Sequence, residues 1–237
     1  MTTPPIPGLF FDPAVLVPTE LAAHVLQQCM DTYFRNNNAN QVMLFGRARD
    51  PSDASPASGG GLPPFLHSLL HDLDGLFRPV LPPETHRLLF PPSDAPARAR
   101  QAIINLYRPG EGISPHVDLL RRFGDGIIGV SLGSGCVMDF CRAQGGGGSE
   151  MWDVYLPERS VLVLSGEARY GWTHGIEGRL EDQVEKQVLE ITGPDARVRD
   201  ESSARGSEWL QREVRLSITF RWLLPGAEVV GGMSGED

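Results

Sequence analysis

The chain has 237 residues, 41% of them hydrophobic and 22% charged, enough for one large domain that folds without disulfides or a structural metal. Its net charge of −9, from 21 Lys and Arg against 30 Asp and Glu, excludes a whole-surface electrostatic binder of nucleic acid but leaves room for a local basic groove. Three cysteines, no run of apolar residues long enough to span a bilayer, and no Lys or Arg before Arg35 predict a reducing compartment, cytoplasmic and/or nuclear, with no membrane segment, secretory signal or mitochondrial presequence.

The first hundred residues read as helices and loops. Thr19 is positioned to cap a helix over 19–30, with Leu21, Val25, Leu26 and Cys29 at helical spacing. NNNANQVMLFGRAR reads as a turn and a short strand, and 51–61 (PSDASPASGGG) as a flexible surface loop. A second helix is predicted over 62–77, stopped by Pro79 and by Pro82 with Pro83, and 91–98 is a Pro-rich connector. From about 99 the texture changes. AIINLY, GIIGVSLG, CVMDFCR, WDVYLPE, SVLVLSG and VRLSITFRWLL are short β-rich runs punctuated by Gly and Pro. That pattern, with 27 glycines and 20 prolines in the chain, predicts a sandwich, barrel or jelly roll. GGGGS (145–149) reads as a hairpin tip, the polar stretch 178–212 as an insertion between the last two strands, and 226–237 as a frayed tail.

The chemistry begins at Ser114-Pro-His116-Val-Asp118. Two apart on an extended segment, His116 and Asp118 face the same way. An imidazole and a carboxylate so placed supply two of the three ligands of a facial triad, which leaves positions on Fe(II) open. Alone the pair is weak, because a solvated polar pair has the same spacing. Of six histidines only His174 lies within the β-rich half apart from His116. It reads either as a satisfied core residue or as the third ligand. The last strand alternates Arg215, Ser217, Thr219 and Arg221 with Leu216, Ile218, Phe220 and Trp222, so one face is polar and one apolar. An exposed strand would look the same. An α-keto acid on the metal, however, needs a buried cation for its far carboxylate, and arginine can grip it bidentately.

Asn105-Leu-Tyr107-Arg-Pro-Gly110, His116-Val-Asp118, Val130-Ser-Leu-Gly133, Ser165-Gly-Glu-Ala-Arg169 with Trp172-Thr-His174-Gly-Ile, and Arg215-Leu-Ser-Ile-Thr-Phe-Arg221 follow in this order. Together they resemble the AlkB family of Fe(II)/2-oxoglutarate dioxygenases over about 101–222, and look closest to the branch that hydroxylates modified wobble uridines of tRNA. The resemblance implies a mainly β double-stranded β-helix (jelly roll) with flanking helices. Residues 1–98 would be an N-terminal extension carrying the substrate lid, 99–225 the catalytic core with its insertion 178–212, and 226–237 a tail, all in one structural domain. It implies His116, Asp118 and His174 as the iron ligands. Arg215 would hold the distal carboxylate of 2-oxoglutarate, helped by Tyr107, while Arg221 and Asn105 would hold its metal-binding end. Ser217 stands where Asn is frequent. Without the resemblance, Asn105 and Tyr107 read equally as a turn cap and a core aromatic.

The implied activity uses Fe(II), 2-oxoglutarate and O2 to hydroxylate a C–H bond. An N-methyl target is lost as formaldehyde, whereas a carbon-linked substituent keeps the hydroxyl. The expected partner is modified nucleic acid, tRNA first and alkylated DNA or RNA after it. Tyr33, Phe34, Phe45, Arg47 and Arg49 are candidate readers of an unstacked base, with burial in the core the favoured reading of Tyr33 and Phe34, and Arg98, Arg100, Arg121 and Arg122 read equally as a basic rim or a solvated charged face. Oxidation of protein side chains and a non-enzymatic binding module are the alternatives. The sequence leaves the oligomeric state open.

Overall fold

The last strand found in the sequence, β12 (Arg215–Leu223), is the centre of the molecule. The computed structural model describes residues 4–35, 38–46, 61–96, 98–142, 150–185 and 207–227. In it β12 pairs antiparallel on one side with β3 (Arg100–Tyr107) and on the other with β5 (Phe123–Gly133). The sheet extends from β5 through β8 (Ser160–Leu164) to β1 (Leu9–Leu16), and from β3 to β2 (Gln41–Gly46), giving six strands in the order β1-β8-β5-β12-β3-β2. A second sheet of four strands runs β4-β9-β6-β7, formed by Ile113–His116, Trp172–Ile176, Cys136–Arg142 and Met151–Leu156. All these pairings are antiparallel. Side chains from both sheets line one cavity, which is the double-stranded β-helix anticipated.

Alternation along β12 decides what each side of the large sheet does. Leu216, Ile218 and Phe220 join Ile104, Leu106, Ile128, Val130 and Leu132 in a buried apolar layer. Against it pack α1 (Thr19–Cys29), through Ala22, Val25 and Cys29, and α2 (Pro64–Phe77), through Leu66, Leu69, Leu73 and Phe77. Each fully buried Leu or Phe in this layer contributes about 1.5–3 kcal/mol. With one side closed by helices, the other side of the sheet is left to form the cavity.

Four local expectations differ from the structure. The cap of α1 is Pro18, without a side-chain bond; Thr19 opens the helix, and its Oγ1 accepts from Arg159 Nη1 at 3.0 Å. A single π-helical turn, Met30–Phe34, prolongs α1. Pro82-Pro83 does not end in a connector: Pro83 starts α3 (Pro83–Leu89), because proline's fixed φ and missing N–H suit a first helical position. β1 is unannounced, since Pro13 interrupts its run. It is tolerated because β1 is an edge strand whose register shifts between Phe11 and Leu16.

The stretch 178–212 is partly structured. β10 (Glu181–Glu185) and β11 (Ser207–Gln211) form a two-stranded ribbon. Buried Asp182 binds Arg212 through both oxygens, at 2.6 and 2.7 Å, and accepts from the Val137 amide of β6 at 3.1 Å, which ties the ribbon to the small sheet. Residues 186–206, most of the loop at 51–61, the GGGGS tip and the tail after 227 lie outside the described residues, as do Arg47 and Arg49. All three cysteines are free thiols. Among the described residues no helix is long and apolar enough to cross a membrane.

Candidate active site

The polar face of β12 forms a row along the cavity of about 420 Å³: Arg215, Ser217, Thr219 and Arg221 all line it. Register places Arg215 between Tyr107 and Gly133, Ser217 between Asn105 and Ser131, and Arg221 between Gln101 and Ile127. At one end Arg215 is 5% exposed. Its Nε donates to Ser131 Oγ at 2.9 Å, its guanidinium carbon lies 5.4 Å from the centre of the Tyr107 ring, and its Nη1 is buried without a hydrogen-bond partner. Among the described residues no carboxylate pairs with it. A buried guanidinium in this condition is costly unless an anion completes it. The end of a dicarboxylic acid fits that need. Burial pushes the Tyr107 phenol up, with Arg215 opposing, so it stays a neutral hydrogen-bonding group. Asn105 Oδ1 accepts from Gln41 Nε2 at 2.8 Å.

At the other end stand the two histidines and the aspartate. His116 closes β4 opposite His174 of β9, and their ring centroids are 4.6 Å apart. Gly175 permits this approach, because a Cβ there would lie 2.9 Å from the Pro115 backbone nitrogen. His116 Nδ1 is 2.9 Å from the Ser114 carbonyl. A proton on that nitrogen leaves Nε2 with its lone pair. Burial lowers the His174 pKa from 6.5 to about 4, His116 adding to the effect and Asp118 opposing it, so the ring is neutral at physiological pH. Asp118, 6% exposed, lies on the loop just past β4.

The Asp118 carboxylate is paired with Arg221 through Oδ1, and Arg221 also donates to Gln101 Oε1 at 2.8 Å. Among the described residues no three His, Cys, Asp or Glu side chains stand close enough to hold a metal ion as they are. The donor set nevertheless has the right chemistry: two adjacent imidazoles and a carboxylate whose Oδ2 has no hydrogen bond among the described residues. Arg221, expected at the metal-binding end of an α-keto acid, is here the partner of Asp118.

Arg169, part of the Ser165–Arg169 motif, has a task that its sequence context does not reveal. It sits on the short helix α4 (Gly166–Tyr170), 2% exposed. It donates to the carbonyls of Asp118 at 3.0 Å, Phe123 at 3.2 Å, Gly124 at 3.3 Å and Leu119 at 3.5 Å. One guanidinium thus ties down the whole loop that carries Asp118. Ser131, Ser160, Gln101 and Met43 also line the cavity without having been singled out. Ser131 lies within the Val130–Gly133 motif, whereas Met43 of β2, Gln101 of β3 and Ser160 of β8 sit in apolar runs whose pattern does not say which face meets a ligand.

The candidate readers of a base divide. Phe34 is buried and Tyr33 packs beside it against the helical layer, so both belong to the core. Phe45 lies under Arg122. Of the candidate rim, Arg100 is buried, stacked 3.8 Å over Trp222 and donating to the Leu89 carbonyl. It therefore serves packing rather than the rim. Arg98 also lies over Trp222, at 5.7 Å, Arg121 is exposed, and Arg122 lines the cavity.

The profile of the 2OG-Fe(II) oxygenase superfamily matches residues 20–221. The chain is 40% identical over 121 residues to the tRNA (carboxymethyluridine(34)-5-O)-methyltransferase alkbh8 of Xenopus tropicalis, covering 51% of this chain and 18% of that protein. It is 29% identical over 132 residues to the probable RNA/DNA demethylase ALKBH6 of Danio rerio, covering 52% of this chain and 53% of the other. These spans amount to about a fifth and about half of the relatives' own length. In fold it is similar to a prolyl-4-hydroxylase from Pseudomonas putida, with a TM-score of 0.50 at 15% identity over 92% of this chain and 94% of that one.

Proposed function

The chain belongs to the 2OG-Fe(II) oxygenase superfamily, and to the AlkB family within it, and from that premise we propose that it hydroxylates or oxidatively demethylates a modified base in nucleic acid, tRNA before other RNA or DNA. Members of the superfamily use Fe(II), 2-oxoglutarate and O2. The observation that carries the reading is one cavity holding a buried arginine without an anion at one end and two touching imidazoles beside a carboxylate at the other. RNA is favoured as the polymer because one relative is named for tRNA and the other for RNA or DNA.

When bound, the metal and 2-oxoglutarate supply the oxidising chemistry at a C–H bond, 2-oxoglutarate leaving as succinate and CO2. His116, His174 and Asp118 would hold the metal, each through a lone pair. Arg215 would grip the distal carboxylate, with Ser131 fixing its guanidinium and Tyr107 and Ser217 completing the slot. Arg221 would neutralise Asp118 and orient it, and Asn105, held by Gln41, would meet the cosubstrate between them. Arg169 keeps the Asp118 loop in place before anything binds. The apolar lining from Ile127, Leu162 and Leu164 excludes water from the reacting carbon. Residues 1–98 reach the cavity through Gln41 and Met43 of β2, which supports their assignment as the lid region of the core at 99–225. A cytoplasmic or nuclear location accords with an RNA substrate.

The test is mass spectrometry of total nucleosides from cells with and without the gene. The proposal predicts that one modified nucleoside loses its hydroxylated form, or gains its methylated form, when the gene is absent. An unchanged nucleoside profile together with a changed protein hydroxylation pattern would transfer the substrate to protein.

A further inference from the structure

The cavity contains one more cation than the cosubstrate uses. Arg122 lines it, its Nε is buried, and that nitrogen has no hydrogen-bond partner. Among the described residues no Asp or Glu pairs with it. Its guanidinium carbon lies 5.9 Å from the centres of both the Phe45 and the Phe123 rings, so aromatic faces from β2 and β5 fix the charge in place. Its amide donates to the carbonyl of Leu119 at 3.2 Å, and Leu119, which also lines the cavity, is 62% exposed; Arg122 therefore stands on a solvent side of the cavity.

The other charges nearby are already committed. Asp118 is paired with Arg221, and Gln101 Oε1 accepts from Arg221. Arg169 bonds only backbone carbonyls. This end therefore carries positive charge in excess, amid apolar walls that strengthen its field.

The excess is not explained by 2-oxoglutarate. In the proposed reading the distal carboxylate of 2-oxoglutarate lies on Arg215 and its other end would lie at the metal held by His116, Asp118 and His174, so both of its carboxylates are engaged away from Arg122. The oxyanion that Arg122 awaits belongs to another molecule.

We propose that Arg122 is a specificity-determining residue that binds an anionic oxygen group of the substrate, a carboxylate or a phosphate, at the mouth of the cavity. This deepens the oxygenase reading and rests on it. The planar guanidinium, within 5.9 Å of two ring centres, can present a bidentate edge to either group. A carboxylate would come from the modified base itself, a phosphate from the strand that bears it. Substrates with an anion near the oxidised carbon are preferred over neutral ones.

The experiment measures dissociation constants by calorimetry on protein loaded with Mn(II) and 2-oxoglutarate under anaerobic conditions. Three probes are titrated: uridine, which has neither anion; 5-carboxymethyluridine, which has only the carboxylate; and the dinucleotide UpU, which has only the phosphate. Wild type should bind one charged probe more tightly than uridine, on the order of tenfold to a hundredfold, as expected for one charge-assisted contact. The favoured probe names the source of the anion. Arg122→Gln should erase the preference and Arg122→Lys should retain part of it, both with the wild-type affinity for 2-oxoglutarate. Equal affinity of wild type for all three probes, or an undiminished preference in Arg122→Gln, overturns the inference while the oxygenase reading stands. Failure of wild type to bind 2-oxoglutarate overturns that reading, and this inference with it.

Discussion

Arg215 makes the most specific demand of any single residue. A guanidinium with a buried, unsatisfied Nη1 and no acidic partner among the described residues is held ready for an anion. Removing one partner of a buried charge pair costs about 3–5 kcal/mol. Arg215→Ala should therefore weaken 2-oxoglutarate binding by on the order of a hundredfold to a few thousandfold. Arg215→Lys, which keeps the charge but loses the planar fork, should fall between. A titration of metal-loaded protein reads this directly, and wild-type affinity in the Ala variant would move the distal carboxylate elsewhere. His174 gives a pH prediction. Its pKa falls from 6.5 to about 4 on burial, so the unfolded chain binds the extra proton first. The stability this contributes is complete above pH ~6.5 and is lost as pH falls towards ~4. In metal-free protein the urea midpoint should drop between pH 7 and pH 4.5, and drop less in His174→Gln. Identical pH profiles would show that the ring is not buried as a neutral group. His174→Ala should also abolish succinate formation with the fold intact by circular dichroism.

Among the elements, β12 was the most legible in the sequence and the β10–β11 ribbon the least. The alternation of Arg215, Ser217, Thr219 and Arg221 with apolar residues gave both the strand and its polar face, because period-two patterning is a backbone property. Which side that face would meet was not in the pattern, since an exposed strand reads alike. The motif order, through the family resemblance, supplied it. EDQVE and SEWLQ looked like solvated insertion because their strand character depends on a partner rather than on apolar content. Asp182 and Arg212 are 30 residues apart in the chain and meet only in three dimensions. Their pairing makes a further prediction. Asp182→Ala leaves Arg212 buried without its carboxylate and should cost about 3–5 kcal/mol in urea unfolding, with faster amide exchange in β10 and β11. A loss under about 1 kcal/mol would show that the ribbon is held by its backbone alone.

For the whole molecule, the acidic net charge of −9 and a cavity rich in arginine belong to one design. With acidic residues in excess over the whole chain, the arginine-lined cavity stands out as the place where an anion is welcome. The sequence identified all eight residues proposed to bind metal and cosubstrate, and all eight line the same cavity. It could not show the Asp118–Arg221 pair, the grip of Arg169 on the 118–124 loop, or the approach of Arg122 to Phe45, because each is a meeting of segments far apart in the chain. β1 was hidden by Pro13 and α3 by Pro82-Pro83, both cases where proline reads as a break yet stands at an allowed edge or first position. The most direct test of the account is a coupled assay. Purified protein with Fe(II), 2-oxoglutarate and O2 is given tRNA from cells lacking the gene, and succinate and nucleosides are measured together. The account predicts succinate in equal amount to the base oxidised, and neither product from the His116→Ala or Arg215→Ala protein. No tRNA-dependent succinate from wild type, or as much from His116→Ala, would contradict it.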